Sequence, residues 1–268
     1  MPSEIVAGTE FHFRSANDGR MARKYSNYFE IYDRYLGKYS NRRPRILEIG
    51  VQHGGSLRLW NGYFDGNVDI FGMDILPECK KFERDNVEIF IGDQSDEAFL
   101  RDVARRIGKV DVIIDDGSHV PSHQIASFKI LFFNALADDG IYICEDCHTS
   151  YWKHYGGGLR RRGTFIEYAK RLCDQINAWH ADAPRLAADE ATHWIKSISF
   201  FSSVVVFERA KMSAPEPLSA GVEEIDLEAP FKTGSAHPIV LRLKRVRFVQ
   251  SIVRRNPVLW NAMRRLIK

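Results

Sequence analysis

The sequence holds little of what would place it outside the ordinary globular class. Four cysteines in 268 residues, Cys79, Cys144, Cys147 and Cys173, are too few and too unevenly spaced for a disulfide framework. A reducing, cytoplasmic setting is therefore expected. No run of 18 apolar residues occurs, and the N-terminus lacks an apolar signal region, so neither membrane spanning nor secretion is expected. Charge of one sign is also scarce. Lys and Arg total 38 against 35 Asp and Glu, and a net charge of +3 is too small to imply nucleic acid. There is no internal repeat and no low-complexity tract. What is present is ordinary: 44% hydrophobic and 27% charged residues, enough to bury a sizeable core.

Apolar runs alternate with helical spacing along the chain. Tyr25, Tyr28, Phe29, Tyr32, Tyr35 and Leu36 predict a helix over 23–39. Strands are expected at 45–50, 68–75, 87–93, 110–116 and 140–146, and helices at 55–64, 96–108, 121–136 and 164–179. Residues 194–209 predict a terminal antiparallel hairpin. Alternation of this kind means an α/β fold: a mostly parallel sheet with helices on both faces. Ligands on such sheets bind beyond the C-terminal strand ends.

Those strand ends carry the chemistry. VDVIIDD ends in Asp115-Asp116 and leads to His119; GIYICED ends in Glu145-Asp146. Desolvating four unpaired carboxylates costs several kcal/mol each, so a divalent cation is the economical neutraliser. His119 beside it is a candidate base. Adjacent strand residues face opposite ways, however. Glu145 and Asp146 share an ion only if the strand has ended and the backbone turns; otherwise Asp146 ligates and Glu145 is an outer contact.

The first strand ends LEIGVQHGGS, with Glu48, Gly50, Gly54, Gly55 and Ser56. This is not the dinucleotide fingerprint G-x-G-x-x-G. It is similar to the E/D-x-G-x-x-x-G loop of S-adenosylmethionine (SAM) methyltransferases, with a plain tight turn as the alternative. Asp74, some 24 residues past Gly50, stands where an acid commonly holds ribose hydroxyls, and Asp93 ends the next strand.

Taken together, RILEIGVQHGGSLRLW, FGMDI, IFIGDQSD, VIIDDGSHVPSHQIASF and GIYICEDCHTSYW resemble the metal-dependent sugar O-methyltransferases. These include macrolide sugar 2-O-methyltransferases and rhamnosyl O-methyltransferases, and the family named for cephalosporin hydroxylase is similar. The resemblance covers about residues 43–210. It implies a class I methyltransferase fold with a seven-stranded sheet, Mg²⁺ held by Asp116, Glu145 and Asp146, and His119 as general base. It also implies a SAM pocket of Glu48, Gly50, Gly54, Ser56, Asp74, Asp93 and Gln94, with Asp115 nearby. The acceptor would be a sugar or glycan, and a homo-oligomer is expected. An oxidative metal enzyme is the alternative, if His148 also ligates; a non-catalytic glycan- or membrane-binding relative is another.

Other motifs are double-edged. Cys144-x-x-Cys147 straddles a strand end and suits incidental small residues better than zinc or redox chemistry. His148, Tyr151 and Trp152 are candidate substrate contacts, with packing as the plain alternative. His53 and His123 are assigned to structure. Arg160-Arg161-Arg162 is a solvated face or a phosphate contact. The domain organisation expected is a helical segment at 1–42, the methyltransferase domain at 43–210, and an acidic linker with a basic amphipathic tail at 211–268. Within that tail, residues 239–268 suit an anionic membrane surface, and through it a lipid-linked acceptor, or else a partner or dimer contact.

Overall fold

The computed structural model describes residues 8–15, 19–183 and 185–222. The chain divides into a unit of Met1–Pro215 and a second from Glu216 to Lys268. Residues 239–268, and with them the basic tail, lie outside the described residues. In chain order the first unit comprises α1 (Thr9–Ser15), α2 (Tyr28–Leu36), β1 (Arg45–Ile49), α3 (Gly55–Tyr63), β2 (Asp69–Asp74), β3 (Val87–Ile91), α4 (Glu97–Ile107), β4 (Val110–Asp115), α5 (Pro121–Ser127), β5 (Leu136–Cys144), α6 (Phe165–Gln175), α7 (Glu190–Trp194), β6 (Ile195–Phe200) and β7 (Val205–Arg209).

The strands form one seven-stranded sheet in the order β3-β2-β1-β4-β5-β7-β6. β7 pairs antiparallel with both β5 and β6, so it alone runs against the rest. The apolar runs explain this burial. Consecutive residues of one strand feed opposite cores: Leu47, Ile113 and Tyr142 join one, while Ile46, Val112, Ile114, Ile141 and Ile143 join the other. The first core packs α4, α5 and α6 residues, with Phe128 centred 4.8 Å from Phe132 and 4.3 Å from Phe207. The second packs α2 and α3, with Tyr32 and Trp60 edge-to-face at 5.1 Å.

Local signals set the boundaries. α4 starts where the Asp96 carboxylate accepts the Ala98 and Phe99 amides, and stops at Gly108 with φ 65°. Two expectations need correcting. The helix expected from residue 23 begins only at Tyr28. Residues 20–24 form neither helix nor strand, and Lys24 is drawn into the sheet end, a tertiary contact that overrides helical spacing. The helix expected to run to 136 ends in a π-helical turn over Phe128–Phe132, and β5 starts at Leu136. The Arg209 guanidinium donates to the Leu136 carbonyl at 3.0 Å and so ties that start to the hairpin.

Phe128 is fully buried among six aromatic neighbours. Phe128→Ala should destabilise the fold by about 3–5 kcal/mol, measured by urea unfolding followed by circular dichroism.

Candidate active site

Two cavities open at the C-terminal ends of β1, β2, β4 and β5. The smaller, about 340 Å³, is lined among others by Gly50, Asp74, Asp93, Gln94 and Gly117. The larger, about 560 Å³, holds Asp116, His119, Glu145, Asp146 and His148, with Lys24 beside them. Gly50, Gln52 and Asp116 line both.

The smaller cavity depends on close backbone approach. Gly50 has φ +95°, and a Cβ there would collide with the Asp116 carbonyl. The Asp74 carboxylate accepts the Val51, Gln52 and Leu76 amides at 2.8, 2.8 and 2.9 Å, which folds the glycine loop over the end of β2. Gln94 is fixed from three sides. Its amide donates to Asp115 (2.7 Å) and is 3.0 Å from Ser127 Oγ, while its oxygen accepts the Ser118 amide (2.9 Å). Met73, Ile75 and Leu76 supply an apolar wall. A carboxylate, an apolar wall and glycine backbone are a donor set that fits a nucleoside carrying vicinal hydroxyls.

Two of the residues expected to bind cofactor lie beneath this surface. Asp115 is fully buried against Gln94 and the Tyr142 hydroxyl (2.7 Å). Burial pushes its carboxyl up to about 7, against the pull of those hydrogen bonds. Glu48 is also fully buried and accepts Trp60 Nε1 at 3.1 Å, while its Oε1 has no hydrogen-bond partner among the described residues. Burial pushes it up to about 7, opposed by Lys24 and Trp60. Gly54, with φ +70°, packs under Phe82, and Ser56 lines the larger cavity.

At the larger cavity the strand has ended before the second acidic pair. β5 stops at Cys144, and Asp146 has φ 52°. This left-handed turn, which Asp tolerates better than most residues, brings its carboxylate round to the Asp116 side. The Tyr28 hydroxyl donates to Asp146 Oδ1 at 2.6 Å. His119 is likewise left-handed (φ 55°), and its carbonyl accepts the Thr149 hydroxyl at 2.7 Å. Its Nε2 lies 3.7 Å from Asp146 Oδ2, and its Nδ1 is buried without a hydrogen-bond partner among the described residues. Ligand atoms of Asp116, His119 and Asp146 all fall within 4.8 Å of one another. Clustered hard oxygens beside an imidazole fit a hard divalent cation.

Glu145 does not join that group. Its Oε1 accepts the Tyr32 hydroxyl at 2.6 Å and its Oε2 the Lys24 ammonium at 2.8 Å. Lys24 also donates to Asp116 Oδ2 at 2.7 Å. Burial alone would lower the Lys24 pKa, but Asp116, Glu145 and Glu48 together hold it well above the usual lysine value. Burial pushes Glu145 upward. The proton stays on Lys24, because two carboxylates bracket it. Sequence reasoning missed Lys24, Tyr28 and Tyr32; the phenols carried only the helical spacing of a core face, and Lys24 carried no signal.

Of the substrate candidates, His148 and Trp152 line the larger cavity, and Tyr155 joins them. Tyr151 is 46% exposed and lies outside both linings. His148 Nδ1 is 2.5 Å from Ser203 Oγ and 4.0 Å from Asp146 Oδ1, so it serves the β6–β7 turn rather than the ligand cluster.

Comparison with known proteins places this geometry. No family model matches the chain. It is 34% identical over 193 residues to 8-demethyl-8-alpha-L-rhamnosyl tetracenomycin-C 2'-O-methyltransferase of Streptomyces olivaceus, covering 68% of this chain and 50% of that protein. It is 39% identical over 163 residues to mycinamicin VI 2''-O-methyltransferase of Micromonospora griseorubida, covering 57% and 40%. The crystal structure of the MycE methyltransferase from the mycinamycin biosynthetic pathway, in complex with Mg and SAH, aligns with TM-score 0.63 at 33% identity, over 69% of this chain and 50% of that one. The chain is a homologue of these sugar O-methyltransferases and shares the Rossmann-like fold of the MycE methyltransferase. It spans about half the length, or less, of these relatives. Among the described residues no helix is long and apolar enough to cross a membrane.

The raised Glu48 pKa has a measurable consequence. Its ordinary value is 4.5 and its folded value about 7. The stability from folded-state protonation is therefore fully present below the ordinary value and is lost as pH rises through about 7. Glu48→Gln cannot titrate, so between those limits its stability should fall less with pH than the parent's, by up to about 3 kcal/mol. Urea unfolding across pH 4.5–8 checks this; parallel profiles would show that Glu48 titrates normally.

Proposed function

We propose that this chain is a SAM- and Mg²⁺-dependent O-methyltransferase acting on a sugar hydroxyl of a glycan, glycolipid or glycosylated natural product. The observation that carries this reading is that the nucleoside-shaped cavity and the carboxylate–imidazole cavity share Gly50, Gln52 and Asp116. A donor in one and an acceptor in the other would meet there.

The residues divide the work. Asp74 is placed to hold ribose hydroxyls, Asp93 and Gln94 to close the far side, and Gly50 to let the cofactor lie against backbone. SAM supplies an electrophilic methyl group on sulfur. Asp116 and Asp146, joined by Glu145, would hold a Mg²⁺ ion that lowers the pKa of a vicinal diol and orients it. His119 takes the hydroxyl proton at Nε2 as the O–CH₃ bond forms and the S–CH₃ bond breaks, leaving SAH and a methyl ether. Its Nε2, 3.7 Å from Asp146 Oδ2, faces a carboxylate that would stabilise the resulting imidazolium. Trp152 and Tyr155 give the acceptor an apolar wall.

The oxidative alternative asks for two histidines at the metal. The cluster among the described residues brings together one, with His148 engaged by Ser203. A lipid-linked acceptor, docking of residues 239–268 on an anionic membrane face, a cytoplasmic location and assembly as a homo-oligomer belong to the same proposal. Their support is the sequence alone.

The test is a screen of rhamnose-, mannose- and olivose-bearing acceptors for SAM-dependent mass gain, with and without EDTA. Transfer to at least one sugar and its loss on chelation are expected. His119→Ala should lower turnover on the order of 10²–10⁴-fold while SAM binding by calorimetry stays unchanged. SAM binding with no transfer to any sugar would favour a non-catalytic binder.

A further inference from the structure

Lys24 has no part in the reaction as proposed, yet its side chain is only 1% exposed at the centre of the site. An ammonium has three N–H donors. One goes to Asp116 Oδ2 and one to Glu145 Oε2. The next acceptor, Glu48 Oε1, is 4.0 Å away, beyond hydrogen-bond reach, and is itself buried without a partner among the described residues. The seat is therefore only partly built. The arm that carries Lys24 is lightly held as well: Met21–Lys24 belong to no helix or strand and make no backbone hydrogen bond to another described residue. That arm crosses the glycine loop, where a Cβ on Gly55 would strike the backbone of Met21 and Ala22, and it walls the larger cavity.

Lys24 takes one oxygen of Asp116 and one of Glu145, and Tyr32 takes the other Glu145 oxygen, so a dication held by Asp116, Glu145 and Asp146 together competes with the ammonium for Glu145. With Lys24 between them, Glu145 is kept out of the ligand group and His119 stands in it. An ammonium and a dication sharing the same carboxylate oxygens repel strongly, even at an effective dielectric of about 20.

We propose that Lys24 is a positioning residue, a tethered cation that holds Asp116 and Glu145 as a pair until a divalent ion displaces it. Displacement admits Glu145 as a ligand and leaves His119 free to accept a proton. Because Lys24 rides on the cavity wall, the same exchange reshapes the acceptor side of the site. The inference rests on the proposed divalent site.

The test is titration of MgCl₂ by calorimetry into the full-length protein and Lys24→Met, with thermal melts of both. Lys24→Met should melt lower without metal, because it leaves buried carboxylates unpaired. It should bind Mg²⁺ on the order of tenfold tighter, since its competitor is gone, and gain more in Tm on saturation. Equal or weaker Mg²⁺ binding by a folded Lys24→Met protein overturns the exchange and leaves the proposed function standing. Absence of Mg²⁺ binding by both proteins overturns both. Should Lys24→Met not fold, reductive methylation of the unmodified protein decides: Lys24 should react slowly without metal and several-fold faster at saturating Mg²⁺. An unchanged or slower rate overturns the inference.

Discussion

The need to partner carboxylates inside a closely packed sheet end governs this structure. Glu48 and Glu145 are fully buried, and Asp116 and Asp146 stand beside them. Each isolated buried carboxylate would cost several kcal/mol, more than a domain of ordinary stability can carry unpaired. The fold answers with donors from far along the chain: Lys24, Tyr28 and Tyr32 from the N-terminal segment, and Trp60 from α3. α2 and the segment just before it, which carries Lys24, are therefore parts of one electrostatic arrangement. Truncating the N-terminal segment would remove counter-charge as well as apolar packing.

Backbone geometry aims those carboxylates. Parallel strands end at nearly one level, but a strand's alternation sends neighbouring side chains to opposite faces. Left-handed φ at Asp146 and His119 breaks that alternation just past β5 and β4. Ser203, also left-handed in the β6–β7 turn, accepts the Cys147 amide on its carbonyl, so the antiparallel hairpin locks the turn after Asp146. This ties the hairpin at the sheet edge to the cavity that holds Asp116, His119 and Asp146. Non-glycine residues held at positive φ cost energy, and they cluster here where a site needs them.

The sheet was legible from the sequence because buried parallel strands are continuous apolar runs, and the acids at their ends stand out against them. RILEI and VDVIID appear as strands within a residue or two of their expected ends, as does the terminal hairpin, while the strand holding GIYIC begins four residues early, at Leu136. The glycine loop, Asp74 and the paired acids stand out for the same reason: they are polar or flexible residues that end apolar runs. What sequence could not supply was partnership over long separations. Lys24 meets Asp116 across 92 residues and Glu145 across 121, and nothing local to ARKYS distinguishes that lysine from a solvated one. Tyr28 and Tyr32 show the converse. Their helical spacing correctly marked a buried face, but the spacing is silent about what the phenol oxygens meet. The family resemblance placed Glu48 in the cofactor pocket and Asp115 near it, and their burial sets them against Trp60, Gln94 and Tyr142.

The two sides of the site are built on different principles. The donor side comes from strand ends and the loops that follow them: Gly50 after β1, Asp74 at the end of β2, Asp93 after β3 and Gly117 after β4. Hydrogen bonds of the sheet fix these positions relative to one another, so a cofactor common to many proteins can be met by a common frame. The acceptor side is walled by Met21–Tyr25 and by Trp152 and Tyr155, none of which lies on a strand. Such walls can change in shape and chemistry without disturbing sheet register. Asp116 belongs to both sides, since it follows β4 and lines both cavities. A residue in that position ties the variable half to the fixed one: on the proposed function, an acceptor hydroxyl oriented through Asp116 would be set in register with the donor by the sheet itself, whatever sugar the walls admit.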